Sequence, residues 1–550
     1  MGNLTAMRHA VVAFAGVLVS VPSMAATLPP GAALPGQIDP NLQRNQQEMI
    51  QRQQEIEQRA RRIEVPALLG EAPEDQQLPD SDQQFTLKGI HFNPSVFIDQ
   101  ATLEEMAAAY VGRPIRFADI NALLKQINHL YEKAGQITAR AVVPPQNVEN
   151  GILSIVLVEA KVDSTQWKQP PTWVKERFYT DRLPLTEGDT LNSAALVNAI
   201  SRFNSTTPGP QISADLAPGE RFGTTRVDLL AYEPERWQWS VFANNYGSEG
   251  TGREQLGGSL TWFSPTGVAD ALNAVVVATA GSHYGSLRYS RPVNRYNGVA
   301  YIEAGTNAMQ VKKGPFADLN IEGDSLTYGL GYDHPWWVNQ TWNLLAGIGY
   351  SHQSSESTIE GVELSEVDVD ELVLKGQFEY RAAPWYGRYE QRIRQANTDN
   401  AISGESGSYQ LLNGTGYLSR DLFTDFQWVG RMSWQYASET ETLPSALLYQ
   451  FGGISSVRGY DAGIVASPQG LTVNLEGHWR YRDNIQPFIF FDYGRAMELG
   501  VTDVDLQSVG VGVNFNWGKH VSLSVVAANT LKDVTPDQDS GQILAQIIIR

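Results

Sequence analysis

From Arg236 onward the chain alternates apolar and polar residues with a period of two, and few architectures accept that text. Leu471, Val473, Leu475, Gly477, Trp479 and Tyr481 alternate with Thr472, Asn474, Glu476, His478, Arg480 and Arg482. Val509, Val511, Val513, Phe515 and Trp517 alternate with Ser508, Gly510, Gly512, Asn514 and Asn516. Phe426, Trp428, Gly430, Met432, Trp434 and Tyr436 share another face. Successive side chains of a strand point to opposite faces. An apolar face with aromatic ends, opposite a polar face with charges, is the pattern of a transmembrane β-barrel. A soluble sandwich also alternates, but its strands are shorter and its apolar face needs a second sheet. Residues 236–550 accommodate about 16 antiparallel strands of about 10 residues, with about ten residues per connection. The number should be even, and about 14 or 18 strands also fit the count.

Composition narrows the rest. The chain has 550 residues, too many for one ordinary domain. A net charge of -19 opposes nucleic-acid binding, which needs clustered Lys and Arg. The absence of cysteine removes disulfides and thiolate metal sites. Residues 1–25 read as a secretory signal: Arg8 precedes the apolar run Ala10 to Val21, and Ser23-Met24-Ala25 offers small residues for cleavage. No later apolar run approaches the roughly 18 residues of a spanning helix. The chain is therefore expected to be exported, and to be either soluble or a barrel.

Between signal and barrel the organisation changes three times. Residues 38–64 read as a polar helix, with Asp39 as N-cap and Pro40 at the first turn. Leu42, Met49, Ile56 and Ile63 recur every seven residues and form one narrow seam. Its length of about 37 Å compares with a bilayer, although a solvated or coiled-coil helix has the same periodicity. Residues 65–84 read as a linker without period. Residues 85–161 read as a small α+β domain: a strand at Phe85–Ile90, helices at Asp99–Tyr110 and Phe117–Ala134, then strands at Ile137–Val143 and Ile152–Val158. Residues 162–235 repeat the order, with helices at Trp173–Thr180 and Ser193–Asn204 and strands at Gln211–Leu216 and Arg226–Tyr232. The result is a duplicated βααββ unit.

Alternation also places candidate functional side chains. If Ile489, Phe491 and Tyr493 face lipid, Phe488, Phe490 and Asp492 face the lumen. The preceding loop, about Glu439 to Gly470, is long and polar, with Gly452-Gly453 and Gly459 permitting unusual backbone angles. Folded inward, it would bring Arg458 to Asp492; left outside, Arg458 is a solvated surface charge and Asp492 an unrelated lumen group. The stretch Glu356–Glu371 carries seven carboxylates, but their spacing matches no calcium loop, so a solvated outer loop is expected. Asp537–Gly541 reads as a turn, and His478 as a polar lumen liner. No Ser/His/Asp grouping, phosphate loop or zinc motif appears, so no enzyme activity, metal or cofactor is expected.

Val457-Arg458-Gly459-Tyr460 and Phe488-Ile489-Phe490-Phe491-Asp492-Tyr493-Gly494 together resemble motifs of the outer-membrane transporters of two-partner secretion. This is the TpsB family, related to the outer-membrane insertases. The first resembles the family's inward-folded loop motif; Phe488, Phe491 and Gly494 are the strand motif with Asp492. Ala141-Val142-Val143-Pro144-Pro145-Gln146 resembles its first POTRA domain, and Asn245-Tyr246-Gly247-Ser248 with Thr251-Gly252 its first hairpin. The resemblance implies a plug helix at 38–64, POTRA domains at 85–161 and 162–235, a sixteen-stranded barrel at 236–550, and contact between Arg458 and Asp492. It implies a monomer in the outer membrane of a Gram-negative bacterium, among lipid and lipopolysaccharide, with its POTRA domains in the periplasm. The partner would be a cognate large exoprotein, arriving unfolded and pairing with POTRA strand edges; Ile137, Ala139, Ala141 and Val143 are the candidate edge. An insertase, or a plugged porin or receptor, is the alternative. Two positions depart from the family pattern: the chain ends Ile547-Ile548-Ile549-Arg550 without an aromatic, and position 136 is Gln.

Overall fold

The computed structural model describes residues 40–550 apart from 62–64, 70–73, 80–81, 315–316, 498–502 and 536–537. The expected signal segment, the N-cap Asp39 and the seam residue Ile63 lie outside the described residues.

Sixteen antiparallel strands close into a barrel, each paired with the next, from Trp237–Asn244 to Gly541–Ile549. The burial of Gln469–Trp479 alternates along its length: Thr472, Asn474, Glu476 and His478 point inward and are buried. On the neighbouring strand Ile485–Met497, Ile489 is 64% exposed while Phe488, Phe490 and Asp492 are buried. The outward apolar face ends in aromatics at the periplasmic rim, where Trp237 stacks on Trp262 and Trp342 packs on Tyr380. Among the described residues no helix is long and apolar enough to cross a membrane; strands do the crossing.

The strands Ile321–Val338, Trp342–Ile359 and Val362–Ala382 run well past the roughly 10 residues that a tilted crossing needs. Their distal ends form an outer hairpin that turns at Glu360 and Gly361, both with positive φ. The acidic stretch Glu356–Glu371 therefore lies mostly in paired strand, not in the expected solvated loop. Glu356 stands directly opposite Glu366 across the hairpin, and Asp370 is drawn to His352 at 3.0 Å. The barrel closes where Val241, Phe242, Ala243 and Asn244 meet Ile549, Ile548, Ile547 and Gln546. The aliphatic terminal strand thus takes part in the closure directly. The Asn245 amide extends the seam, donating to the Ile543 carbonyl at 2.7 Å and accepting from the Ala545 N–H at 2.8 Å.

Beneath the barrel lie two small α+β domains. In the first, Gly89–Phe92 and Arg140–Val142 flank Ile152–Val158, covered by helices Gln100–Ala108 and Phe117–Lys133. The second helix buries Ile120, Leu123, Leu124, Ile127 and Tyr131, the stripe that spacing of three and four produces. In the second domain, Gln211–Pro218, Thr224–Tyr232 and Lys161–Gln169 form the sheet, with helices Glu176–Thr180 and Ser193–Thr206. Lys161–Gln169 is the leading strand that the repeated βααββ order implies; its mixed polar text hides a parallel partner of Thr224–Tyr232.

The repeat is chemical as well as topological. At the end of each domain's last strand a glutamate reaches back to the chain entering the first helix. Glu159 accepts from the Ser95 hydroxyl, the Val96 N–H and the Tyr131 hydroxyl at 2.5, 2.8 and 2.9 Å. Glu233 accepts from the N–H groups of Thr172, Trp173 and Val174, and from the hydroxyls of Thr172 and Tyr179.

Gln136 joins the two domains. Buried, it donates to the Asn192 side chain at 3.0 Å and accepts from the Ser193 N–H at 3.0 Å, at the start of helix Ser193–Thr206. An apolar residue would leave the buried Ser193 N–H without this acceptor. The expected strand Ile137–Val143 shortens to Arg140–Val142 for the same reason: the Ile137 N–H is held by the Ser193 hydroxyl, outside the sheet. The second domain is in turn fixed to the barrel. Arg182 donates to the Asn297 side chain and the Asn294 carbonyl on a periplasmic turn, and Trp173 stacks on Phe263.

Burial pushes the Glu233 carboxyl up, but its five donors outweigh that and hold it below the usual carboxylate range. A depressed folded pKa contributes stability above the unfolded value and loses it as pH falls through the folded one. Glu233→Gln is expected to lower the melting temperature of the periplasmic transition of the full chain at neutral pH. The gap to wild type should close progressively in acid; a pH-independent gap contradicts the carboxylate's role.

Candidate functional site

The lumen face of Ile485–Met497 presents Asp492, fully buried, between Phe490 and Gly494. A carboxylate there needs a partner. The loop after Phe426–Ala437 supplies it by folding into the barrel. It is not a polar loop: Phe451, Val457, Tyr460, Ile464 and Val465 form an apolar nucleus with Ala496, Val504 and Leu506 of the wall. A small hairpin, Tyr449–Phe451 with Val465–Ser467, clasps its ends. Gly452 and Gly459 have φ of +93° and +89°, and a Cβ on Gly452 would lie 1.9 Å from the Asp461 carbonyl oxygen. Gly494 is small for the complementary reason: a Cβ there would lie 2.7 Å from Val457. Tyr460 pins the tip, its hydroxyl donating to the carbonyl of Gln507 or Lys532 and accepting from the Gln507 N–H.

This placement brings Arg458 to Asp492. Nε and Nη2 donate to the two carboxylate oxygens at 2.7 and 2.6 Å, and the Arg458 N–H adds a third bond at 3.1 Å. The guanidinium lies 3.7 Å from the Phe490 ring centroid, so a cation–π contact adds to the pair. The Asn474 amide bridges Asp492 and the Ser456 carbonyl. The remaining guanidinium nitrogen, Nη1, meets Glu476 at 2.7 Å. Glu476 also pairs with Arg431 at 2.7 Å and with His478 at 2.7 Å. Arg431 in turn reaches Glu57, on the N-terminal helix, at 2.7 Å. One chain of charge runs Asp492–Arg458–Glu476–Arg431–Glu57.

The N-terminal helix, Leu42–Arg61, threads the lumen. At its outer end the Asn41 amide bonds Ser355, and Arg44 bonds Thr327. Midway, the Gln53 amide donates to the Ser455 carbonyl of the folded loop. At its periplasmic end the Arg59 carbonyl accepts from Arg381. Of the expected seam, Leu42 is buried near Met309, Ile56 packs against Tyr386, Tyr417 and Val429, and Met49 is half-buried. The apolar contact to the motif strand comes instead from Ile50, against Phe488 and Phe490. Polar contacts dominate, as suits a segment in a polar lumen.

Val457, Arg458, Gly459, Tyr460, Phe488, Asp492 and Gly494 thus gather at one place, while Phe491 points away from the lumen side. Glu57, Arg431, Glu476 and Asn474 complete the site. Alternation puts Glu476 and Asn474 inward, but no local signal says which lumen charges meet. His478 is more than a liner: it is buried, bonded to Glu476 and stacked on Phe488. The candidate edge in the first periplasmic domain looks different from the sequence. Ala139 and Ala141 turn into the core, and Val143 already has a main-chain partner in the Gln76 side chain. Among the described residues no His, Cys, Asp or Glu cluster could hold a metal ion.

Comparison with known proteins fits this geometry. The family described as haemolysin secretion/activation protein ShlB/FhaC/HecB matches residues 223–515, and the ShlB-type POTRA domain matches residues 85–160. The heme/hemopexin transporter HuxB of Haemophilus influenzae is 23% identical over 492 residues, covering 83% of this chain and 85% of the relative. The hemolysin transporter HpmB of Proteus mirabilis is 22% identical over 467 residues, covering 78% and 79%. The solved structure of CdiB from Escherichia coli superposes with a TM-score of 0.71 at 18% identity, over 96% of this chain and all of that one. The family match spans more than half of the chain, which belongs to the haemolysin secretion/activation family ShlB/FhaC/HecB and is an outer-membrane channel of two-partner secretion.

Proposed function

We propose that this channel secretes a single cognate exoprotein, received unfolded in the periplasm, through a lumen that the helix Leu42–Arg61 plugs at rest. The chain acts as a monomer and catalyses no bond chemistry. The observation that carries the gate is the shared network. Glu57 of the helix bonds Arg431, whose other carboxylate partner, Glu476, also holds Arg458. Without the helix, two guanidinium groups, Arg431 and Arg458, still face two carboxylates, Glu476 and Asp492. The plug can leave without stranding a buried charge, and the Arg458–Asp492 latch keeps its loop against the wall while it does. The few apolar anchors of the helix keep its resting hold modest.

Unpairing a buried charge costs about 3–5 kcal/mol, enough to free the motif loop without dissolving a sixteen-stranded barrel. Arg458→Ala is expected to insert at normal levels and to secrete the cognate exoprotein several-fold less. Normal secretion at normal barrel levels contradicts the latch.

Deleting residues 42–61 is expected to raise single-channel conductance in planar bilayers. Unchanged conductance rejects the plug.

A further inference from the structure

Two described stretches of the segment that joins the plug helix to the first POTRA domain, residues 65–69 and 74–79, lie against the two periplasmic domains. On the second domain the segment adds a strand. Leu68 and Leu69 pair in parallel register with Ala214 and Asp215, at the open edge of the sheet. The Ala214 N–H donates to the Ala67 carbonyl at 3.0 Å, and the Ser213 hydroxyl to the Pro66 carbonyl at 2.6 Å. Ala67 and Leu68 pack on the domain core.

On the first domain the same segment fills the groove between helix Phe117–Lys133 and the edge strand Arg140–Val142. The Asn121 side chain makes both bonds of an amide pair to the Leu78 backbone, at 2.9 and 3.1 Å. Gln76 makes the converse pair to the Val143 backbone, at 2.7 and 3.0 Å. Asp75 accepts from the Asn128 amide at 2.7 Å and faces Arg140 at 3.4 Å. Leu78 packs on the core.

On the second domain these are the main-chain bonds by which a sheet edge takes an extended peptide; on the first, side-chain amides grip the backbone in their place. Asn128 makes the case sharper. It is 1% exposed, and its oxygen already accepts from the Ala141 N–H at 2.7 Å. Its amide hydrogens find their acceptor on the linker, so vacating the groove costs this bond unless an incoming acceptor or water replaces it. The groove is built to hold a chain that supplies an acceptor.

We infer that residues 65–69 and 74–78 are a resident surrogate for the exported polypeptide, held on the two POTRA edges until that polypeptide replaces them. The inference rests on the transport reading above. The displacing segment is extended, carries a carboxylate or amide acceptor, and has an apolar residue three positions later, as Asp75 and Leu78 do. The surrogate is covalently attached and so competes at a high effective concentration. A single weak motif fails against it, and a chain that engages both domains succeeds. The linker continues into the plug helix, so its displacement frees the plug's periplasmic end in the same event.

The chain contains no cysteine, which makes the test clean. A fluorescein-labelled synthetic peptide of residues 65–79 is titrated against the full-length protein in detergent and read by anisotropy. Asp75→Ala with Leu78→Ala, which loosens the resident linker, is expected to bind the peptide about tenfold tighter or more than wild type. Adding Asn121→Ala should abolish that gain. A disulfide between Leu69→Cys and Asp215→Cys, which pins the linker, should weaken peptide binding by about tenfold or more, with wild-type binding restored on reduction. Equal binding by wild type and the loosened variant, or binding indifferent to the disulfide, overturns the inference. In cells the same disulfide, verified by gel shift, is expected to block secretion of the cognate exoprotein. Undiminished secretion with the disulfide formed overturns the surrogate and leaves the transport reading standing. Wild-type protein that secretes nothing overturns the transport reading itself.

Discussion

Asp492 sits fully buried inside a membrane barrel, and much of the lumen is arranged to satisfy it. A carboxylate removed from water is costly unless paired and hydrogen-bonded. The wall offers Asn474, and the cation that pairs with Asp492 comes from the loop folded inward. Once inside, Arg458 has a donor to spare; Glu476 takes it, and Glu476 in turn takes Arg431 and His478. The inward loop leaves room for a polar helix, and Glu57 joins the end of the chain of charge. Each step follows from satisfying the group before it.

Much of this was legible in the sequence, for identifiable reasons. Period-two alternation faces Asp492, Glu476 and Asn474 inward because the pleat leaves no other choice. Alternation cannot say which inward charges meet across strands, so Arg431 and Glu57 were invisible. Apolar spacing found the seam of the N-terminal helix but overrated it: Ile50, off the seven-residue repeat, makes the contact with Phe488 and Phe490. The motif loop read as polar because its glycines and serines mask Phe451, Val457 and Tyr460, which are buried. The acidic outer stretch read as loop because like charges suggest solvent, yet it is paired in a long hairpin, with Glu356 opposite Glu366 and Asp370 opposite His352.

The periplasmic half shows a different economy. Two domains with little sequence in common share one device, a terminal glutamate gripping the entrance to the first helix. Gln136 joins them, with Gly135 and Ile137 bonded to the Ser193 hydroxyl beside it. In the linker, aperiodic in sequence, the main chains of Leu68, Leu69 and Leu78 find partners on the two domains, through bonds that leave no mark on composition. Arg182 and Trp173 tie this arm to the barrel's periplasmic turns. On the proposed function, a polypeptide arriving at the arm acts close to the foot of the helix Leu42–Arg61.

The central claim is that the plug is held by the charge network yet is separable from the latch. Pulsed electron–electron distance measurement on the full chain tests it most directly. One spin label goes on the helix by Gln54→Cys and a second on a periplasmic turn by Lys519→Cys, both solvent-exposed positions. Adding Glu57→Gln is predicted to shift population from the single in-lumen distance to a broad, displaced one. Labels placed instead on the motif loop should show its distance to the wall unchanged. A helix distance untouched by Glu57→Gln, or a motif loop that moves out together with the helix, contradicts the account.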